Sequence, residues 1–342
     1  MQKQTKNILI IGDGIAAWCL MFELNRLGHK ITQISHDESS PACSPRSTSI
    51  NCLRGTTRGK SPLGDLICES YEYFEKFNLD FSPAGIYKGM EYQLFDNPEK
   101  WLRRYPEYFK VQDNDFLIEH TQKLAHYFPN HAYFIDPVEL KNWFLDQCPC
   151  VSIMNERVIE LKPVDSKTII STSSGEYSFD QIYVCAGKDS LTLLEGLNSK
   201  VDYYLQHSKP VAGSYFEISL DEVEHEFENN LNLYFDKYSF IYRKDQNILQ
   251  IGSSSTNKSD SYEIDENAMS IIYEHVKSHL KIDLPAREKF KIITGVRHKG
   301  FKRRPYWGEV APNIFAVCGL YKNAYTFAFL AANNLVAKKL VT

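Results

Sequence analysis

Asn7-Ile-Leu-Ile-Ile-Gly12-Asp-Gly14-Ile-Ala-Ala17 opens as an apolar strand and turns through two glycines into a helix; Lys30-Ile-Thr-Gln-Ile-Ser35 follows as a second strand. Only a glycine makes the tight turn at position 12. At Gly14 the missing side chain lets a pyrophosphate approach the backbone, and small Ala17 lets the helix pack closely on the strand. The helix start, Ile15 and Ala16, then offers N–H groups and the positive end of a dipole to phosphates. Glycine spacing alone is weak evidence. With a strand before, a helix after and a second strand at the expected distance, it reads as a dinucleotide-binding βαβ unit. The competing reading is a glycine turn in a ligand-free α/β domain.

The second strand of such a unit usually ends in an acid that bonds the adenosine ribose. Here that place holds Ser35, followed by His36, Asp37 and Glu38. Either Ser35 bonds the ribose more weakly or Asp37 reaches back from the loop.

Composition sets the class. A chain of 342 residues, 43% hydrophobic and 24% charged, can bury one large core or two smaller ones. A net charge of −4 gives no reason to expect nucleic acid. No apolar run reaches the roughly 20 residues of a membrane span. The first residues lead straight into a strand, so no signal peptide is expected and the cytoplasm is the default location. Eight cysteines in this length do not suggest a disulfide scaffold. Cys148-Pro-Cys150 has no partner pair at metal-site spacing, so no metal is expected. Cys185 and Cys318 read as core, and the aromatics, 13% of the chain, mostly as packing.

Beyond the second strand, residues 37–60 form a long loop, of the kind that is usually functional. Within it Ser44-Pro-Arg46-Ser47-Thr48-Ser49 supplies hydroxyls and one guanidinium suited to phosphates. Helical periodicity runs from Pro62 to Lys76, and Asp136-Pro137 starts another helix with Leu140, Trp143 and Phe144 on its apolar face. Val151–Pro163 and Thr168–Ser173 read as strands, and Gln181-Ile-Tyr-Val-Cys-Ala-Gly187 as a buried strand ending at a glycine. Alternation in Val211–Ile218, Ser239–Arg243 and Asn247–Gly252 predicts an antiparallel sheet. A helix near 265–281, a strand near 290–294, the strand Asn313–Gly319 and a helix of about 20 residues complete the chain.

Together these segments resemble the D-amino acid oxidase superfamily of FAD-dependent oxidoreductases, and the glycine oxidase branch in particular. Gly12-x-Gly14-x-x-Ala17 is similar to that family's FAD fingerprint, and Asp180–Gly187 to its second flavin-domain strand. Gly295-Val-Arg297 and Pro305-Tyr-Trp-Gly308 keep the spacing of its Gly-x-Arg-Pro…Pro-x-x-Gly segment, and Gly319-Leu-Tyr-Lys-Asn-Ala324 is similar to its flavin-side turn. The resemblance implies an α/β fold. A Rossmann-like, glutathione-reductase-like FAD domain (1–80, 135–200 and 295–342) would carry a discontinuous α+β substrate domain (81–134 and 201–294) on an antiparallel sheet. It implies FAD contacts at Gly12, Gly14, Ile15, Ala16, Ala17, Ser35, His36, Ser47, Thr48, Ser49, Val158 and Gly187. The last turn would add Tyr321, Lys322, Asn323 and Ala324, with the backbone N–H groups of residues 321–326 at the flavin's pyrimidine edge. Arg297 would clamp a substrate carboxylate, for which a planar guanidinium is suited. Lys322 would contact substrate, steady the reduced flavin or face solvent.

Departures from the family pattern are local. Arg-Pro becomes Arg297-His298, and Arg297 to Arg304 holds five basic residues and one His. That is either a solvated loop or a mouth that attracts an anionic substrate or partner. The family's substrate-side Tyr aligns with Ser239, flanked by Tyr238 and Phe240, so no substrate tyrosine is assigned. With no Cys between Arg297 and Pro305, FAD is expected to be non-covalent; Cys43 and Cys52 are expected only to pack. The expected activity is oxidation of the C–N bond of a small carboxylate-bearing amine, giving an imine and then a 2-oxo acid, with O2 as acceptor. Alternatives are a 2-hydroxy acid or a partner protein as substrate, or a flavin-binding accessory protein. An NAD(P)-only enzyme is least favoured, because the 319–324 turn has no place in one. Oligomeric state is not legible.

Overall fold

The computed structural model describes residues 5–36, 41–53, 56, 58–94, 109–110, 117–118, 125–195, 197, 203–235 and 237–337. The chain begins with β1 (Asn7–Ile11), α1 (Ile15–Arg26), β2 (Lys30–Ser35), the short β3 (Ile50–Asn51) and α2 (Pro62–Phe81). It continues through β4 (Ile86–Leu94), β5 (Phe109–Lys110), β6 (Ala125–Ile135) and α3 (Pro137–Asp146). Next come β7 (Ser152–Asn155), β8 (Val158–Val164), β9 (Lys167–Thr172), β10 (Glu176–Phe179), β11 (Gln181–Val184), α4 (Ser190–Glu195) and α5 (Tyr203–Gln206). Then follow β12 (Lys209–Ser219), β13 (Asn230–Phe235), β14 (Tyr238–Arg243), β15 (Ile248–Gly252), β16 (Thr256–Asn257) and α6 (Glu266–Lys277). β17 (Lys291–Lys299), β18 (Tyr306–Ala311), β19 (Ile314–Cys318) and α7 (Ala324–Ala337) close the described chain.

The first sheet has the order β18-β19-β11-β1-β2-β7, parallel except at β18. Its central strands are apolar on both faces because both faces are covered. Ile8 and Ile10 of β1 join a core with α1, α2, α3 and α7, whereas Leu9 and Ile11 pack with Val158, Leu161 and Ile170 of the small sheet β8–β10. Both helix starts are capped: Ser61 Oγ accepts from the Gly64 N–H ahead of α2, and Asp136 Oδ1 from the Val138 and Glu139 N–H groups ahead of α3.

The second sheet runs β16-β12-β15-β14-β13-β4-β6-β3, with β17 beside β12 and β5 beside β6. It corrects three expectations. Val151–Pro163 is two strands: β7 extends the parallel sheet beside β2, while β8 turns away to pair with β9. The antiparallel sheet contains one parallel pair, β13 with β4, because β13, which had no sequence signal, enters beside it. The change of domain expected between 294 and 295 falls inside β17, all nine of whose residues pair with β12. Arg297 therefore stands on the second sheet. No helix of the described residues is long and apolar enough to cross a membrane.

Candidate active site

A cavity of about 640 Å³ lies between the two sheets, inside the range of cofactor and ligand sites, roughly 300–1,000 Å³. One end is walled by the C-terminal ends of β1, β2 and β19. The other is walled by the inner face of β12, β14, β15 and β17.

At the first end, Gly12 has φ 121° and a Cβ there would stand 2.4 Å from the Cys185 carbonyl oxygen. The glycine is thus required by the neighbouring strand as well as by the turn. The helix start is partly engaged already: the Ile15 N–H donates to Ser44 Oγ at 3.0 Å. Asp13, an acid inside a phosphate-type turn, is fixed and neutralised. It accepts from Trp18 Nε1 and Gln33 Nε2, each at 3.0 Å, and pairs with Lys141 Nζ at 2.5 Å. Ser35 and His36 line the cavity, and the buried His36 Nδ1 has no hydrogen-bond partner among the described residues. Asp37 and Glu38 lie outside the described residues.

Ile15, Ala16, Ser47, Thr48, Ser49, Val158, Gly187, Tyr321, Lys322 and Ala324 also line the cavity. Two expected contacts do not. Ala17 is fully buried beneath the helices, the price of close packing at that position, and the Asn323 N–H is used by Leu320 O within the turn. The loop hydroxyls are partly used too. Ser47 Oγ donates to Ser44 O at 3.0 Å and lies 3.1 Å from Ser49 Oγ, while Tyr325 OH donates to Ser44 O. What holds this loop against the second sheet is Arg243 of β14. It donates to Thr48 O, to Ile135 O at 3.0 Å, to Gln250 Oε1 at 3.1 Å and to Gln246 Oε1 at 2.6 Å. Burial pushes its pKa down to about 10, so it keeps its charge and every donor at neutral pH.

At the second end, Arg297 Nη2 donates to Ser254 O at 3.1 Å. A Cβ on Gly213 would fall 1.7 Å from the same Nη2. The missing side chain of β12 is therefore the seat of the guanidinium. Among the described residues no carboxylate pairs with Arg297, so its charge is available to the cavity. In-register pairing sets a row across the sheet: Tyr215 opposite Gly252, Gly252 opposite Ser239, Ser239 opposite Tyr234. All four line the cavity. Two tyrosines thus line the cavity near position 239, Tyr234 directly opposite it and Tyr215 one strand further, beyond Gly252, which no linear motif could reveal. Burial raises the Tyr215 hydroxyl pKa well above its usual range, so it remains a neutral donor.

The basic segment divides. His298 is buried; burial drops its pKa to about 4, against opposition from the Gly187 carbonyl and Asp189. The Gly319 N–H donates to Nδ1 at 3.3 Å, and Nε2 meets Ser208 Oγ at 2.7 Å, whose own hydrogen goes to Leu205 O. That network assigns the proton to Nε2. His298 is a neutral tie between sheets and adds no charge to the mouth. Lys302, Arg303 and Arg304 are exposed and line no part of the cavity. Arg46, expected among phosphates, packs its backbone against Gly295 of β17. Its charge and that of Arg297 both act on the Cys43 thiol, which burial nevertheless keeps raised. Cys43 lines the cavity, whereas Cys52 is buried against Glu91. Among the described residues no cluster could hold a metal.

A family model described as DAO, FAD dependent oxidoreductase, matches residues 7–338. Among curated proteins none matches by sequence. The fold is similar to that of glycine oxidase from Geobacillus kaustophilus, with a TM-score of 0.73 at 16% identity over 98% of this chain and 95% of that one. It is similar to iminodiacetate oxidase from Chelativorans sp. BNC1, with a TM-score of 0.75 at 17% identity over the same shares, 98% and 95%. It is similar too to L-alpha-glycerophosphate oxidase from Mycoplasma pneumoniae, with FAD bound, at 0.74 and 15% identity over 99% and 95%.

Proposed function

The chain belongs to the DAO family of FAD-dependent oxidoreductases, and from that premise we propose that it oxidises the C–N bond of a small amino acid or amine bearing a carboxylate. One observation carries the reading. A single cavity holds the glycine turn at one end and a guanidinium with no described ion-pair partner, seated on a glycine, at the other.

The residues present fit FAD. The open space beside Gly187, where a Cβ would meet nothing within 4 Å, and the His36 Nδ1, which has no partner among the described residues, are features that a dinucleotide would fill. Gly12, Gly14, Ile15 and Ala16 would face its phosphates, Ser35, His36 and Val158 its adenosine, and Tyr321, Lys322 and Ala324 its ring. When bound, FAD supplies the acceptor for a hydride equivalent. The protein's own share is orientation. Arg297 binds both carboxylate oxygens and turns the substrate Cα toward the 321–324 turn, while Tyr215 and Tyr234 offer hydroxyls alongside. The imine product would hydrolyse to a 2-oxo acid and ammonia, with O2 as electron acceptor. Non-covalent FAD and a cytoplasmic setting belong to the same proposal, the latter resting on cysteine usage.

Purified protein should be yellow, and acid precipitation should release the colour into solution. In anaerobic mixing, amino acids should bleach the flavin more readily than 2-hydroxy acids. Arg297→Ala should lower kcat/KM about 100-fold, as expected for losing a two-point charge-assisted contact, with the bound-flavin spectrum retained. Unchanged kinetics would remove Arg297 from the site, and bleaching by 2-hydroxy acids alone would replace the amine reading.

A further inference from the structure

The charges on the cavity wall are unevenly divided. Three acids line it, Asp13, Glu156 and Asp189, and all stand at the glycine-turn end with partners. Asp13 holds Lys141, Glu156 accepts from Thr172 at 2.6 Å and from Ser174, and Asp189 pairs with Lys188 at 2.9 Å. The end walled by the second sheet has no described carboxylate. It carries Arg297, Arg46 and, at the turn between β13 and β14, Lys237. Lys237 is exposed at the cavity mouth and makes no ion pair among the described residues. A substrate with one carboxylate needs one of these cations.

Their spacing follows from the sheet. The Arg297 guanidinium lies over Gly213 on β12, and Lys237 stands in the turn that joins β13 to β14, two to three strand spacings away across β15 and β14. That is about 10–14 Å between backbones, which the lysine stem shortens. Alongside, one side-chain repeat further along the strands, runs the row with Gly252 and Ser239 as its two smallest members and Tyr215 and Tyr234 at its ends. Small residues beside two cations leave a trough, and its length suits a second anionic group several bonds from the first.

We propose that the substrate is an amino acid carrying a second anionic group, with its α-carboxylate on Arg297 and the distal anion, carboxylate or phosphate, at Lys237 beside Tyr234. This rests on the amino-acid oxidation proposed above. Anion attraction then belongs to the β13–β14 turn and not to Lys302, Arg303 and Arg304, which line no part of the cavity.

Two measurements on the FAD-loaded enzyme test it. Glutarate and butyrate, which carry no oxidisable amine, are titrated against the flavin absorption spectrum. Glutarate should bind about three- to fivefold more tightly, the share of one solvent-accessible charge-assisted contact. Lys237→Gln should erase that preference and Lys237→Arg restore it. Anaerobic flavin reduction is then compared for glycine and for alanine, aspartate, glutamate, 2-aminoadipate and O-phosphoserine, the last five in D and L forms. A kcat/KM ratio favouring the dianions, lost in Lys237→Gln, supports the proposal, and the phosphoserine arm separates phosphate from carboxylate. Equal binding of glutarate and butyrate, or a dianion preference unchanged in Lys237→Gln, overturns it while leaving amino-acid oxidation standing. Reduction by none of these acids overturns both.

Discussion

The two ends of the cavity are built on opposite plans. The glycine-turn end comes from one short piece of chain, and its requirements are backbone requirements: Gly12 at φ 121° under the Cys185 carbonyl, a strand leading in and a helix leading out. The second-sheet end comes from strands far apart in sequence. Its requirements concern which side chains stand opposite one another: Arg297 over Gly213, and Tyr215 and Tyr234 around Ser239. A backbone-defined site recognises a phosphate-bearing group common to many proteins, and a side-chain-defined site can change its ligand by single substitutions. The difference separates what is fixed in this molecule from what sets its specificity.

The largest expected effect breaks one end and spares the other. Gly12→Ala adds a Cβ 2.4 Å from a backbone oxygen at a positive φ, so the variant should lose flavin and much of its soluble yield, a cost above about 4 kcal/mol. Gly213→Ala also forces a clash, 1.7 Å from Arg297 Nη2 and 2.5 Å from Ser254 O, but part of it falls on a movable side chain. It should keep bound flavin and lose carboxylate affinity, read as a KM rise of about 100-fold at a smaller change in kcat, about 2.7 kcal/mol. Loss of flavin in Gly213→Ala would show that the two ends do not act separately.

The same contrast explains what was legible beforehand. β1, α1 and β2, the helix starts at Pro62 and at Asp136-Pro137, and the 319–324 turn are local patterns, and a local pattern survives in a linear string. Arg297 was reachable because it stands two residues from Gly295 in a spaced motif. Tyr215 and Tyr234 were not, because only strand register makes them neighbours of Ser239. Lys141 was hidden for the same reason: its partner Asp13 lies 128 residues away. His298 stands in a basic run that reads as either a solvated loop or an anion-attracting mouth, and its burial suits neither, since sequence gives its charge class but not its burial.

His298 also offers a way to sharpen the comparison, because it ties the strand carrying Arg297 to the Gly319 turn. Its folded pKa of about 4 lies below the ordinary 6.5, so between these values the unfolded chain takes up a proton that the folded protein refuses. Stability should therefore be complete above about pH 6.5 and fall as pH drops toward 4, by up to about 3 kcal/mol. Urea midpoints measured from pH 7 to 4.5 should show that slope. A His298→Gln variant, unable to titrate, should show a shallower one. Equal slopes would mean that carboxylates alone account for the acid loss.

The smallest expected effect concerns the acid inside the phosphate turn. Asp13 stands between Gly12 and Gly14, where a bare carboxylate would repel a pyrophosphate, and Lys141 of α3 cancels it at 2.5 Å. Both side chains are partly exposed, 35% and 23%, so the pair itself contributes little to folding. Its value lies in the charge that the ligand meets. Lys141→Met should leave the melting temperature of flavin-free protein nearly unchanged and weaken FAD by about five- to tenfold, about 1 kcal/mol. High salt should narrow the gap by screening the exposed carboxylate. Asp13→Asn in the Lys141→Met background should restore affinity, because it removes the repulsion and keeps an amide oxygen for Trp18. If the double variant binds FAD no better than Lys141→Met, the lysine acts by positioning α3 rather than by charge. The glycine-turn end would then depend on side-chain placement as the other end does.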